Sequence, residues 1–118
     1  MNKNTFEEAA DYARIYQPFE MNLLIVPIHQ LPEIYGEIMV LPKFPVLYVT
    51  RTGYIPYATK SEIIRRERAN LFLLGGEESI SEWVEYVLST LTKGRVYRLI
   101  NTLMSHRLAD TYNGRIRY

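Results

Sequence analysis

Apolar positions along this chain change their period from one segment to the next. Phe6, Ala9, Ala10, Ala13 and Tyr16 recur at three- and four-residue steps, which predicts an amphipathic helix over residues 5–16. Thr5 and Glu8 stand at capping-box spacing, and Pro18 ends the segment. Leu23-Leu24-Ile25-Val26 is a continuous apolar run closed by Pro27, short enough for a buried strand. Ile38-Met39-Val40-Leu41 and Val46-Leu47-Tyr48-Val49-Thr50 are β-branched and aromatic, with Pro42-Lys43-Phe44-Pro45 as a turn between them. Arg51-Thr52-Gly53 turns the chain again into Tyr54-Ile55.

The second half reads differently. All six prolines lie between Pro18 and Pro56, so long helices are free to form only after them. Thr59 and Glu62 repeat the capping-box spacing and open a helix through about Asn70; Leu71–Leu74 either continues it or makes a further strand. After Gly75-Gly76, Ser79 caps a helix whose apolar stripe is Ile80, Trp83, Val84, Val87, Leu88 and Leu91, with Lys93-Gly94 at its end. Residues 95–112 fit a helix striped by Val96, Leu99, Ile100, Leu103 and Met104, or a hairpin turning at Asn101-Thr102. The hairpin would pair Val96–Ile100 with Leu103–Leu108 across a turn that lacks the usual glycine, so the helix is favoured, although Arg107 falls inside its stripe. These elements predict an α+β fold in one domain spanning 1–118. An N-terminal helix precedes a small, mostly antiparallel sheet over about 21–57, and C-terminal helices cover one face.

Charge is segregated beneath a net value of +1. Residues 1–40 carry −4, 41–76 carry +4, 77–92 carry −4 and 93–118 carry +5. Alternating blocks of this kind suit an anionic partner or a second copy of the chain. The absence of cysteine excludes disulfides, thiolate metal sites and a cysteine nucleophile. No apolar run approaches the ~20 residues of a membrane span, and the acidic, helix-patterned start does not read as a signal peptide.

Candidate chemistry is sparse. His106 and Asp110 would share a helix face with Thr102, but two ligands make an incomplete metal site, and His29 reads as a turn residue before Pro32. Gly75-Gly76 ahead of a helix resembles a phosphate loop in outline, yet Glu77 and Glu78 would repel the anion. No nucleotide-loop or nucleophile-elbow motif occurs. Neither catalytic nor metal residues are assigned, and no cofactor is expected. The basic groups carry the strongest signal: Arg65, Arg66 and Arg68 on one helix, then Arg95, Arg98, Arg115 and Arg117, with Tyr97, Tyr112 and Tyr118 interleaved. Arginine makes bidentate phosphate contacts and tyrosine stacks on bases.

Ten Tyr, eleven Ile, two Gln and no Cys form a mixture that resembles small proteins encoded by viruses of hot-spring archaea. Residues 46–108 also resemble a viral family that includes anti-CRISPR ring nucleases. The similar pieces are Val46–Thr50, Gly75 through Ser79, Lys93-Gly94-Arg95-Val96 and Ser105-His106-Arg107-Leu108. That resemblance implies a dimeric scaffold that handles cyclic oligoadenylate. Gly76 stands where the family's essential histidine would fall, and Ala109-Asp110 where its acidic pair would, so cleavage is not implied.

The reading is therefore a non-enzymatic, homodimeric protein that binds DNA or RNA through Arg65, Arg66, Arg68, Arg95, Arg98, Arg115 and Arg117. It is expected inside the host cell or in the virion, with no membrane partner. The alternatives are a protein-interaction module without nucleic acid, and cyclic-oligonucleotide binding on a ring-nuclease-like scaffold.

Overall fold

Leu23–Val26 and Leu71–Leu74 are apolar at every position, so neither strand has a face to give to water and each must be covered on both sides. The computed structural model, which describes residues 3–100, meets that demand with a parallel sheet. Helix α1 (Thr5–Tyr16) is followed by β1 (Asn22–Pro27), a short 3-10 turn, α2 (Leu31–Val40) and β2 (Val46–Val49). Then come α3 (Tyr57–Arg66), β3 (Asn70–Leu74), α4 (Glu82–Leu91) and β4 (Val96–Leu99). The strand order is β2-β1-β3-β4, and every pair is parallel.

The expected antiparallel sheet over 21–57 is thus overturned. Parallel neighbours need a crossover, and residues 28–45 supply one that contains α2 rather than a turn. Ile38–Leu41, read as a strand from its β-branching, belongs to that crossover: Ile38 lies in α2, and Leu31, Ile34 and Ile38 pack at helical spacing on one core. Pro32 sits in the first turn of α2, where its missing N–H costs nothing, so it starts the helix instead of breaking one. Tyr54-Ile55 forms no strand. Helices and strands alternate, so the α+β arrangement gives way to an α/β one.

Helices cover both faces, not one. Ala10 and Ala13 of α1, Ile63 of α3, and Val84 and Leu88 of α4 pack on Leu23, Ile25, Leu47, Val49, Leu71 and Leu73. The opposite face, with Leu24, Val26, Phe72, Leu74 and Leu99, carries α2. Successive residues of β1 and β3 therefore feed different cores, as a period of two requires. The favoured helix from residue 95 is also corrected, because Val96–Leu99 pairs with β3 from Leu71↔Val96 to Leu74↔Leu99. The first arm of the hairpin alternative, Val96–Ile100, coincides with β4 as far as Leu99, while its turn at Asn101-Thr102 and its second arm, Leu103–Leu108, lie outside the described residues.

Each cap differs from its sequence expectation. The capping box of α1 is Asn4 with Glu7. α4 is capped by Ser81, whose Oγ accepts from Val84 N at 3.2 Å. Thr59 is not a cap: it is buried inside α3 and its Oγ1 donates to the Tyr48 carbonyl at 2.7 Å. In the expected stripe of α4, Val84 and Leu88 are buried, whereas Trp83 is turned out to solvent.

Candidate interaction surfaces

The arginines predicted to meet phosphate separate into two groups. Arg66 lies at the last turn of α3, where the helix returns toward α1. Its side chain is only 1% exposed beside the 3% exposed Glu62. Nε donates to Glu62 Oε2 at 2.7 Å, Nη1 to the Glu20 carbonyl at 2.6 Å and Nη2 to the Ala13 carbonyl at 2.9 Å. Arg66 thereby ties α3 to the end of α1 and to the entry of β1. Arg65 donates to both oxygens of the same carboxylate and to the Pro18 carbonyl. Burial pushes the Glu62 carboxyl up, but the hydrogen bonds from Arg65 and Arg66 outweigh it and hold the group below its usual value.

Arg98 does a similar task at the carboxyl end of β4. Nε donates to Glu85 Oε1 at 2.6 Å, Nη1 to the Gly75 carbonyl at 2.9 Å and Nη2 to the Ile80 carbonyl at 2.6 Å. It braces the β3–α4 loop, where Gly75 holds φ +114° and an added Cβ would strike Ser79. Across the same end of the sheet, Ser79 Oγ donates to Gln30 Oε1 at 2.6 Å. Gly75-Gly76 is therefore an internally fastened turn.

Arg68 and Arg95 remain exposed. The loops that carry them are tied at the amino-terminal edge of the sheet. Lys93 N donates to the Glu67 carbonyl at 2.8 Å, Thr92 Oγ1 to the Ala69 carbonyl at 2.6 Å, and Arg95 N to Asn70 Oδ1 at 3.0 Å. This brings Arg68, Lys93 and Arg95 to one edge, and among the described residues none of the three is in an ion pair. Arg115, Arg117, His106 and Asp110 lie outside the described residues.

Aromatic side chains make the other prominent surface. Trp83 and Tyr86 on the outer face of α4 are 57% and 61% exposed, with ring centroids 6.0 Å apart. A cavity of about 310 Å³ beside them is lined by Glu82, Glu85, Tyr86 and Ser89. Tyr12 and Tyr16 form a second pair on α1 at 4.6 Å. A groove of about 390 Å³ runs between α1 and β2, bounded by Glu8, Ala9 and Tyr12 on the helix and by Phe44, Val46 and Tyr48 along the strand and its approach. Burial raises the Tyr48 phenol above its usual value, with Tyr35 adding to the effect. Sequence patterning assigned none of these rings to a surface. The i, i+4 spacing of Tyr12 and Tyr16 is the signal in the sequence, although periodicity groups Tyr16 with the alanine stripe of α1.

No described helix is long and apolar enough to cross a membrane. No known protein family matches the chain, and no curated protein does. Among solved structures it is similar to Cwp6 from Clostridium difficile, with a TM-score of 0.79 and 18% identity over 94% of this chain. The match occupies 19% of that protein, so the chain spans about a fifth of its length. At that identity the likeness establishes the alternating parallel fold and nothing further.

Proposed function

We propose that this protein is a non-enzymatic interaction module that pairs with a second copy through the outer face of α4. The observation that carries the reading is the exposed Trp83–Tyr86 pair on a helix whose other side is fully engaged in the core. Tryptophan and tyrosine dominate the buried centres of protein interfaces. Charge supports a two-fold arrangement: Glu82 opens α4 beside Glu85, which Arg98 already engages, while Lys93 and Arg95 follow its end. Two copies packed with α4 antiparallel would set acidic ends against basic ones, as an isologous contact needs. Sedimentation at micromolar concentration and moderate salt should give a dimer for the native chain and a monomer for Trp83→Ser with Tyr86→Ser. A monomeric native chain under those conditions excludes the proposal.

A second reading keeps the nucleic-acid partner but moves it to a smaller set, because Arg66 and Arg98 are consumed internally. The cluster of Arg68, Lys93 and Arg95 favours it. A gel shift on single- and double-stranded DNA and RNA should weaken with a log–log salt slope of about 0.9 per phosphate contacted on duplex DNA. Arg68→Glu with Arg95→Glu should remove the shift for all sequences alike, since phosphate contacts do not read bases. Absence of a shift at low salt excludes this second reading.

A further inference from the structure

The groove between α1 and the outer edge of β2 has a chemistry distinct from both surfaces above. Glu8, Ala9 and Tyr12 are one helical face, and Phe44, Val46 and Tyr48 alternate along one side of the strand and its approach, so both walls are set by regular backbone. Three of the walls are aromatic rings, and the charged member is the Glu8 carboxylate, which has no ion-pair partner among the described residues. A volume of about 390 Å³ is within the range of small-ligand sites.

We infer that this groove binds an organic cation, an alkylammonium or guanidinium head held against the rings of Tyr12 and Tyr48 and neutralised by Glu8, with Phe44, itself stacked on Phe72, closing one wall. The faces of aromatic rings carry negative potential and attract cations, an effect worth about two- to fivefold in affinity at an exposed site. An anion would meet a carboxylate with no lining cation to offset it, and a neutral ligand would lack the charge that Glu8 complements. Addition of a peptide strand to β2 is disfavoured, because the Tyr48 carbonyl is already taken by Thr59 Oγ1 and the strand spans only Val46–Val49.

The test is an NMR titration of the full chain with tetramethylammonium, with arginine amide, and with tert-butanol as the neutral isostere. The Tyr12 and Tyr48 ring resonances should shift saturably with a cation and not with tert-butanol. Response to tetramethylammonium alone identifies an alkylammonium site, and a response to arginine amide that persists when its α-amine is acetylated identifies a guanidinium site. Glu8→Gln and Tyr12→Leu, both at exposed positions, should each weaken binding by about two- to fivefold while the amide spectrum stays folded. Equal response to tert-butanol, no saturable shift with either cation, or unchanged affinity in both variants would overturn the inference. None of these outcomes depends on the oligomeric state, so the pairing proposal stands or falls separately.

Discussion

Arg66 shows what a single side chain contributes to this structure. Its guanidinium satisfies a buried carboxylate and two carbonyls from different segments, a geometry that a lysine ammonium cannot reproduce from one point. Arg66→Ala should lower unfolding free energy by about 2–3 kcal/mol in urea denaturation, since it leaves the Ala13 and Glu20 carbonyls unpaired and Glu62 with Arg65 alone. The exposed Arg68→Ala should change it by no more than about 0.5 kcal/mol. Glu62 also sets an acid limit. Its carboxyl is held lower in the folded chain than the ordinary 4.5, so its stabilisation is complete above that value and is lost as pH falls through the lower folded value. Stability measured across the acid range should therefore decline less steeply in Glu62→Gln than in the native chain.

At the scale of elements, starts and stops are decided by a few local groups. The Ser81 cap leaves its mark on α4, and Ser81→Ala should cost about 1 kcal/mol, read as a lower midpoint at unchanged denaturant slope. Gly94 has a different constraint. A methyl there would fall inside contact distance of the Arg68 and Ala69 carbonyl oxygens, which are backbone atoms fixed by the neighbouring loop. Gly94→Ala should destabilise by about 1–3 kcal/mol through that overlap, measured in the same way. Helix α2 was misread for a related reason. Ile38-Met39-Val40-Leu41 satisfies a strand pattern over four residues, and only the longer window back to Leu31, with Pro32 in the first turn, reveals the helical period.

Across the whole molecule, the sheet allocates its helices unevenly, with α1, α3 and α4 on one face and α2 on the other. The proposed pairing through α4 would link association to folding, because a contact present only in the native state stabilises it by mass action. The thermal midpoint should accordingly rise with protein concentration and lose that dependence in Trp83→Ser with Tyr86→Ser. A concentration-independent midpoint in the native chain would count directly against self-association.

The sequence alone determined the features that local chemistry controls. The span of α1 was legible from its period and from Pro18, and the positions of β1, β2 and most of α4 followed from apolar runs and turn residues. Tertiary structure decided strand direction, because an apolar four-residue run satisfies a parallel or an antiparallel neighbour equally and the choice depends on what fills the crossover. It also decided the arginines. Arg66 and Arg68 stand two residues apart with the same chemistry in sequence, but the end of α3 turns one toward Glu62, the Ala13 carbonyl of α1 and the Glu20 carbonyl and leaves the other in water. No periodicity distinguishes them, since the groups that claim Arg66 include carbonyls more than forty positions away in the chain.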